Sequence, residues 1–461
     1  MLDFSLEPYR SDIIHTLKNF IKIESVRSEG QPNMPYGKGI FDALMFVQST
    51  AERMDLDCVN MFGQMAYVDY GFGDEMLGIL MHVDVVPKGD GWTMDAFEGI
   101  EKDGRIYGRG AIDNKGPAVA ALYALKAIKD NCVQLNKTVR LLFGTDEETT
   151  WQDMDFYKSH GGRTPDIAFS PDGEYPIINT EKGALHFELI KECGRTEGEG
   201  IKVISFASGT APNVVPNKAE CVISAPFELI SKSVNNYKCP VGGVFTCEDM
   251  SGGNVRISAL GTSAHGSKPW MGINAAMSLI TYLGTLPLAA GQAEKAVYSL
   301  AEKLGVNYFG EGLGMDVSDH SGELTFSTGY VSIKDGVFHA KMDIRYPVSY
   351  TLQWVDDMLA KHFGFFTIRH IHALPTHHVP EDSPLVKTLK EAYTEITGEE
   401  AYCISIGGAT YARAFENAVT FGPLFPGMPN VEHGPDEYIE IETLMKNAQI
   451  IANAIIKLCQ L

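Results

Sequence analysis

Three consecutive segments decide the fold: MLGILMH at residues 76–82, GPAVAALYALKAIKDN at residues 116–131 and TVRLLFG at residues 138–144. The first and last are short runs that are apolar on both faces, as buried strands are. The middle segment has a proline where a first helical turn would lie, followed by an alanine-rich apolar stripe, which is typical of a helix. Strand, helix and strand in this order predict a parallel sheet and an α/β fold.

Regular patterns continue on both sides of this unit. Apolar residues at helical spacing predict one helix within residues 7–24, a second that includes residues 41–54 and a long final helix at residues 439–458. Between about residues 181 and 381 the pattern changes to short strands with two helices, as expected for an α+β unit. The strand patterns there cover residues 184–191, 219–223, 254–260, 329–334 and 337–345, and the helix patterns cover residues 274–286 and 351–362.

The predicted fold class is therefore α/β, with two domains. Residues 1–181 and 381–461 are expected to form a domain with a parallel-type sheet, and residues 182–380 an inserted α+β domain. A length of 461 residues favours this division, since one hydrophobic core rarely serves so long a chain.

The composition excludes several classes of function. Lys and Arg number 38 against 59 Asp and Glu, and the net charge of −21 repels nucleic acid and anionic membrane surfaces. The start MLDFSLEPYR lacks the features of a secretory signal, and no apolar run is long enough for a bilayer span. We therefore expect a cytoplasmic protein without a nucleic-acid or membrane partner. The eight cysteines include no C-x-x-C pair and are interpreted as reduced thiols.

The first chemical motif is Met81-His82-Val83-Asp84, at the end of a predicted buried strand. Residues two apart on a strand face the same side. A neutral imidazole can bind a metal while a nearby carboxylate orients its ring, so His82 is a candidate ligand and Asp84 its orienting residue. A strand-end histidine held by an ordinary hydrogen bond is the alternative interpretation.

Two acidic motifs follow. Asp113 lies in the glycine-rich loop YGRGAIDNKGP, residues 107–117, directly before the predicted helix. A tight turn with a helix cap is the alternative there, and the loop lacks the Lys-Ser/Thr ending of a phosphate loop. Asp146, Glu147 and Glu148 follow the next buried strand; adjacent carboxylates raise one another's pKa values unless cations neutralise them, although an exposed acidic turn has the same sequence pattern.

Asp172 in FSPDG, residues 169–173, and His433 in VEHGPDE, residues 431–437, complete the candidates. Alone, these motifs would be interpreted as a type I turn and a solvated loop histidine. Taken in order, however, H-x-D, G-x-x-D-x-K-G, D-E-E, P-D-G and H-G-P-D-E resemble the M20 metallopeptidase family, and within it the bacterial PepV-type dipeptidases. The resemblance extends over nearly the whole chain.

This resemblance implies a site for two divalent metal ions. Asp113 would bridge the ions, with His82 and Asp172 completing one site and Glu148 and His433 the other. Histidine and carboxylate ligands suit Zn²⁺, which we expect, and such shells also accept Mn²⁺ or Co²⁺.

The resemblance also implies roles around the metals. Glu147 would be the general base that accepts a proton from a metal-bridged water as the water attacks the peptide carbonyl. His265, in the inserted domain, resembles a histidine that contacts the developing oxyanion. Asn213, Arg345 and Gly408 resemble substrate-binding residues, and Arg345 could fork onto a peptide carboxylate.

The function that follows is a dipeptidase acting on unblocked dipeptides, with the inserted domain as a lid large enough that a monomer is expected. An N-acyl amino acid amidohydrolase or desuccinylase is the first alternative, because the same ligands serve both reactions. A non-catalytic metal-dependent binding protein is the alternative of another class. Comparative hydrolysis of unblocked dipeptides and N-acetyl amino acids separates the two enzymes, and absence of turnover would favour the third hypothesis.

Overall fold

The computed structural model describes residues 4–250 and 252–460. The chain divides into two compact units. The first comprises Met1–Thr180, His378–Ile404 and Ala409–Leu461, and the second comprises Glu181–His377 and Ser405–Gly408. Within the described ranges, none of the helices combines the length and the apolar character that a membrane span requires.

The chain up to the first unit boundary alternates between strands and helices. Its elements are α1 (Arg10–Ile21), α2 (Lys38–Arg53), β1 (Cys58–Met61), β2 (Met65–Tyr70), β3 (Met76–His82), β4 (Ile100–Lys102), β5 (Arg105–Tyr107), α3 (Lys115–Asp130), β6 (Thr138–Gly144), α4 (Gln152–Ser159), β7 (Ile167–Ser170), β8 (Gly173–Glu174) and β9 (Ile177–Glu181).

The second unit is richer in strands. Its elements are β10 (Gly183–Glu192), β11 (Lys202–Gly209), β12 (Lys218–Ser224), α5 (Phe227–Asn236), β13 (Val244–Met250), β14 (Asn254–Leu260), α6 (Ala275–Leu283), α7 (Gln292–Lys303), β15 (Ser318–Asp319), β16 (Gly322–Glu323), β17 (Thr325–Lys334), β18 (Val337–Tyr346), α8 (Leu352–Phe363) and β19 (Thr367–Leu374). The rest of the chain forms β20 (His377–His378), α9 (Pro384–Thr397), β21 (Cys403–Ile406), β22 (Ala418–Thr420), β23 (Pro423–Leu424), β24 (Tyr438–Glu440) and α10 (Ile441–Leu458).

The predicted parallel strands form the centre of the first unit. β3 runs parallel to β6, with His82 opposite Gly144, and parallel to β7 on its other side. Every residue of β3 is buried, which explains why its sequence is apolar on both faces. The strands follow the order β1-β2-β6-β3-β7-β22-β9, and the pairs β1–β2, β2–β6 and β22–β9 are antiparallel. The predicted α/β fold is confirmed, as a mixed sheet with a parallel centre.

Helix α3 fixes the loop that precedes it. It contacts α1, α10 and β3, and Ala118, Ala120 and Ala121 are fully buried. Alanine side chains let a helix approach its neighbours closely, so the start of α3 is held firmly against the sheet. In addition, the loops that follow the parallel strands β3, β6 and β7 leave from the same edge of the sheet, where ligands bind in open α/β folds.

The second unit contains an antiparallel sheet in the order β13-β14-β12-β11-β17-β18-β10-β19. Apolar side chains of the strands and of helices α6, α7 and α8 form its hydrophobic core, including Leu279, Val297 and Leu359. Polar residues such as His186 and Asp343 lie on neighbouring strands, β10 and β18, directly opposite each other. Antiparallel strands packed with helices make this unit α+β, as the strand and helix patterns predict.

Some elements differ from the sequence-based expectation. Ile439, predicted as the first residue of the last helix, lies in β24, which pairs with β5, and α10 begins at Ile441. The partner strand is distant in sequence, so local periodicity cannot indicate the pairing. Helix α7 is also absent from the prediction, because the buried face of its sequence QAEKAVYSLAEK has only two large apolar residues, Val297 and Leu300, beside two alanines and a glutamate.

Candidate metal centre

Asp113 lies between the two histidines of the predicted site. Its Oδ1 is 2.9 Å from Nε2 of His82, and its Oδ2 is 2.9 Å from Nε2 of His433. Asp172 approaches His82 to 3.5 Å, and Glu148 approaches His433 to 3.2 Å. Two groups of three potential ligand atoms result, each with its atoms within 4.8 Å of one another, and Asp113 belongs to both. The structure therefore brings together the five residues predicted as metal ligands.

Each of these residues is delivered by a different element. His82 ends β3, Glu148 lies in the turn after β6, and Asp172 lies just after β7. Asp113 precedes α3, and His433 lies in the loop before β24. His82 is fully buried, whereas the His433 side chain is 54% exposed, so the site lies at the surface end of a buried strand.

Asp84 holds two parts of the site together. Nδ1 of His82 is 2.9 Å from the Asp84 carbonyl oxygen, which can only accept, so Nδ1 carries the ring proton and Nε2 is left for a metal. The Asp84 carboxylate accepts the backbone N–H groups of Glu147 at 3.3 Å and Glu148 at 3.1 Å. Asp84 therefore orients the turn after β6 as well as the imidazole.

The first residue of the D-E-E motif has a different role from its neighbours. Asp146 is fully buried and accepts hydrogen bonds from the hydroxyl groups of Thr149 and Thr150 and from the backbone of Gln152, at 3.1 Å. It also forms an ion pair with Arg27. Asp146 thus stabilises the turn from within, and only Glu147 and Glu148 remain for the site.

Asn114 is a site residue that sequence reasoning missed. Its buried amide donates to Oδ1 of Asp172 at 3.0 Å and to the carbonyl oxygen of Pro171 at 2.8 Å. It follows Asp113 directly, so one short segment supplies the shared aspartate and positions a second ligand. The only sequence signal was the Asp-Asn pair before the helix, which equally suggests a helix cap.

The buried carboxylates and imidazoles of the site shift one another's pKa values. Burial and the charge of Asp113 raise the pKa of Glu148 to about 7, and burial followed by the charge of Asp172 raises the pKa of Glu147 well above its ordinary value. Burial acts downwards on the pKa of His433, but its hydrogen bonds with Asp113 and Glu148 raise that pKa to about 11. Without cations, protons must compensate the acidic charge.

Divalent ions fit this set of groups. Oε1 of Glu148 is buried and has no hydrogen-bond partner among the described residues, so it is available as a ligand atom. Two imidazoles and three carboxylates are donors that Zn²⁺ takes, and such oxygen-rich shells also accept Mn²⁺ or Co²⁺. A cation would also remove the repulsion between the carboxylates.

His265 belongs to the second unit and is exposed. Its Nδ1 accepts the backbone N–H of Ser267 at 3.2 Å and lies 2.8 Å from the hydroxyl oxygen of that residue. Because Nδ1 is an acceptor, a neutral His265 carries its proton on Nε2, which makes Nε2 a hydrogen-bond donor. Asn213 lies beside this segment, since its carbonyl oxygen accepts the N–H of Gly266 at 2.7 Å.

Arg345 is buried and mostly occupied within the second unit. Asp343 accepts from its Nε at 2.8 Å and from its Nη2 at 3.0 Å, and Nη2 also lies 3.2 Å from Nε2 of His186. Nη1 donates to the carbonyl oxygen of Gly407 at 2.9 Å. A guanidinium has five N–H groups, so one of them, on Nη1, is left without a partner among the described residues. In this conformation Arg345 offers a substrate one N–H rather than a two-pronged fork.

Gly408 directly follows Gly407, whose carbonyl oxygen accepts a hydrogen bond from Arg345. A Cβ at Gly408 would meet only the Ile406 side chain, at 3.5 Å, whereas a Cβ at Gly407 would lie 3.1 Å from Ser267. The steric requirement for glycine is therefore stronger at Gly407, which sequence reasoning did not select. Gly407 also connects Arg345 with the segment that carries His265, so these predicted residues of the second unit lie near one another.

A parallel-centred sheet that ends in two clusters of histidine and carboxylate groups around one aspartate is suited to a metal-dependent hydrolase of the α/β class. The model of peptidase family M20/M25/M40 matches residues 78–457, and the chain belongs to this family. It is therefore a peptidase, of a family whose metallopeptidases use divalent ions.

Individual relatives agree with this assignment. The chain is 37% identical to "Putative dipeptidase YtjP" of Bacillus subtilis strain 168, and the match covers 98% of both sequences. It is 34% identical to the Beta-Ala-Xaa dipeptidase of Lactobacillus delbrueckii subsp. lactis, over 98% of this chain and 97% of that protein. The crystal structure of human carnosine dipeptidase 1 has the same fold, with a TM-score of 0.59 at 17% identity over 99% of this chain and 98% of that one.

Proposed function

We propose that this chain is a dinuclear metal-dependent dipeptidase that hydrolyses the amide bond of unblocked dipeptides. The observation that carries the proposal is the position of Asp113, which directs one carboxylate oxygen to His82 and the other to His433. Asp172 would complete the first site and Glu148 the second. The names of the full-length relatives support the choice of a dipeptide as substrate.

Bound divalent ions would lower the pKa of a water molecule and polarise the substrate carbonyl. The proton transfers of the reaction are assigned to the protein's own side chains. Glu147 stands next to the ligand Glu148 and shares its anchor on Asp84. From this position Glu147 takes the proton that the attacking water loses and delivers it to the leaving amine, a transfer worth roughly 10²–10⁴-fold in rate.

The second unit is proposed to act as a lid that binds the substrate. His265, with its proton on Nε2, donates a hydrogen bond to the oxygen that becomes negative in the transition state. Asn213, Arg345 and Gly408 bind the remainder of the dipeptide. In this assignment, residues 1–181 and 381–461 form the catalytic domain and residues 182–380 the lid.

Several further properties belong to the same proposal. Zn²⁺ is the expected ion, with Mn²⁺ or Co²⁺ as alternatives, because the ligands include two imidazoles. The net charge of −21 argues against nucleic acid and anionic membranes as partners. We propose a cytoplasmic monomer whose partner is a small peptide.

The proposal is tested by metal analysis together with dipeptide turnover, for the wild type and for Glu147→Gln. We expect about two divalent ions per chain in both proteins and a loss of roughly 10²–10⁴-fold in kcat only in the variant. Asp155→Asn, which changes an exposed carboxylate in α4, is the matched control and should leave turnover unchanged. Full activity of Glu147→Gln would remove Glu147 from its assigned role.

The substrate class is tested with the wild type alone. Unblocked dipeptides, N-acetyl and N-succinyl amino acids and longer peptides are compared at equal concentration, and the highest kcat/KM is expected for the dipeptides. Preference for the acylated amino acids would replace the proposed activity by that of an amidohydrolase or desuccinylase. Metal-loaded protein without turnover on any of these substrates would favour a binding protein.

A further inference from the structure

Arg109 and Glu437 form an ion pair inside the first unit. Nη1 of Arg109 lies 2.5 Å from Oε2 of Glu437, and the two residues are 1% and 0% exposed. They come from distant parts of the chain, and neither is among the proposed ligands. A pair so deeply buried is costly to desolvate, so the ion pair by itself is weak evidence for a role in stability.

One further atom of each residue, Oε1 of Glu437 and Nη2 of Arg109, contacts the backbone of a proposed ligand. Oε1 of Glu437 accepts the N–H groups of Ile112 at 3.0 Å and Asp113 at 3.3 Å. Nη2 of Arg109 donates to the carbonyl oxygen of His433 at 3.1 Å and to that of Lys88, also at 3.1 Å. The pair thus links the loop that carries Asp113 with the loop that carries His433.

Both loops are irregular and are otherwise held by individual hydrogen bonds, such as that from the N–H of Arg109 to the carbonyl oxygen of Ala96 at 2.8 Å and that from the N–H of Thr93 to the Asp436 carboxylate at 2.8 Å. They adjoin the paired strands β5 and β24, in which Tyr107 lies opposite Tyr438. Beyond this point the N–H of Gly108 still donates to the carbonyl oxygen of Glu437, at 2.9 Å. His433 then has a φ of 59°, in the left-handed region, and its side chain is largely exposed. A histidine in an irregular loop needs tertiary contacts to hold its ring at a fixed place.

We propose that Arg109 and Glu437 are positioning residues that set the placement of His433 relative to Asp113. They thereby determine the affinity for the ion that Glu148 and His433 hold together with Asp113. This inference rests on the proposed function, because it presumes two ions that share Asp113. The ion held by His82 and Asp172 shares Asp113 but depends less on the pair, since among the described hydrogen bonds the pair contacts His433 and neither His82 nor Asp172.

A purely structural role makes a different prediction. A buried ion pair can often be replaced by apolar residues of similar volume without loss of stability. Arg109→Met combined with Glu437→Leu removes both charges, so no buried charge is left unpaired. The same double variant removes the acceptor for the Asp113 N–H and the donor to the His433 carbonyl. Stability and metal affinity are therefore separable in this variant.

The experiment compares the wild type, Glu437→Gln, the double variant and a matched control. The control is Glu440→Gln, which breaks the partly exposed ion pair between Glu440 and Arg105, 2.9 Å apart. These two residues lie on β24 and β5, the strands that the two loops adjoin, and outside the loops themselves. Metal-free protein is titrated with Zn²⁺ against a chromogenic chelator to obtain a Kd for each ion. Circular dichroism and Tm establish that each protein is folded.

In Glu437→Gln and in the double variant, we expect the affinity for the ion held by Asp113, Glu148 and His433 to weaken about 10–100-fold. The affinity for the ion held by His82, Asp113 and Asp172 should change less. Glu440→Gln should bind both ions as the wild type does. Wild-type affinity for both ions in a folded double variant would overturn the inference, as would an equal loss at both sites. If Glu437→Gln does not fold, the double variant alone decides.

The wild-type titration separates this inference from the proposed function. A wild type that binds fewer than two Zn²⁺ overturns the dinuclear site, and the positioning role with it. A wild type that binds two, with unchanged Kd values in the folded variants, overturns the positioning role alone.

Discussion

Oδ2 of Asp84 accepts the backbone N–H of Glu148 at 3.1 Å. Oδ1 of the same carboxylate accepts from Glu147, and the carbonyl oxygen of Asp84 faces Nδ1 of His82. One buried residue after β3 therefore contacts a proposed ligand at the end of that strand and two proposed functional residues after the neighbouring strand β6. A change at this residue should affect metal binding and catalysis together.

Replacement of Asp84 by asparagine tests this relationship. Its amide nitrogen can only donate, so one of the two N–H groups after β6 loses its acceptor. We expect kcat/KM to fall about 10–100-fold, with weaker metal binding, as is usual when a ligand loses its orienting contact. Steady-state kinetics at saturating metal give the effect. Asp90→Asn, in the exposed part of the same segment, is the control, and equal activity of the two variants would contradict the assignment.

The shared position of Asp113 predicts different metal contents for two variants. Asp113→Asn should impair the occupancy of both sites, because the carboxylate faces His82 and His433 at once. Glu148→Gln should retain the ion held by His82 and Asp172, since Glu148 belongs to one group only. Metal analysis after gel filtration is expected to give about two ions for the wild type and about one for Glu148→Gln. Two ions in Asp113→Asn would rule out the bridge.

Removal of metal should destabilise the protein as well as inactivate it. A ligand present at 100 times its Kd adds about 2.7 kcal/mol to the free energy of unfolding, so chelation should lower Tm by several degrees. Readdition of Zn²⁺, Mn²⁺ or Co²⁺ should restore Tm and, for the ion that supports catalysis, activity. Asp113→Asn supplies the comparison: its Tm should respond little to the chelator. An identical response of both proteins would mean that the stabilising ions bind elsewhere.

The ion pair of Asp343 and Arg345 predicts a pH-dependent stability. Burial acts upwards on the pKa of Asp343, but the charge of Arg345 lowers that pKa below its ordinary 3.8. A depressed carboxyl pKa stabilises the fold above the unfolded value, and this contribution is lost as the pH falls through the folded value. Asp343→Asn should cost about 3–5 kcal/mol at pH 7, since it leaves Arg345 buried without its partner.

The measurement for this pair is urea unfolding of the wild type and Asp343→Asn at pH 7, 5, 4 and 3. The difference in the free energy of unfolding should shrink as the pH drops below about 4. Asp335→Asn, in the turn between β17 and β18 of the same unit, provides a control. A difference that is the same at all four pH values would show that the charge of Asp343 is not what holds Arg345.

Local patterns in the sequence were sufficient for the centre of the fold and for the motif residues. β3, α3 and β6 could be predicted because apolar residues on both faces of a strand, a proline in the first helical turn and apolar periodicity are local properties of the sequence. The five candidate ligands could be selected because they occur in five ordered motifs. The residues alone did not separate the role of Asp146 from that of Glu147, since three adjacent acidic residues do not show which carboxylate turns inward, and the assignment of Glu147 came from the resemblance to the M20 family.

Contacts between segments that are distant in the sequence could not be predicted from it. Nothing local indicates that Glu437 meets Arg109, or that β24 pairs with β5. The ion pair between Arg345 and Asp343 could have been predicted from the sequence. Asp343 precedes Arg345 by two residues on a strand, and residues two apart share a face. That spacing favours an internal ion pair over a fork that is free for a ligand.

The location of β22 in the sheet affects how the chain folds during translation. Ala418–Thr420 lies between β7 and β9, although both of these strands leave the ribosome long before it. While the intervening segment is translated, β7 stays as an open sheet border that a foreign strand can join. Chaperone capture should therefore be greatest on nascent chains stalled ahead of residue 418, and metal uptake can be complete only after His433 has emerged.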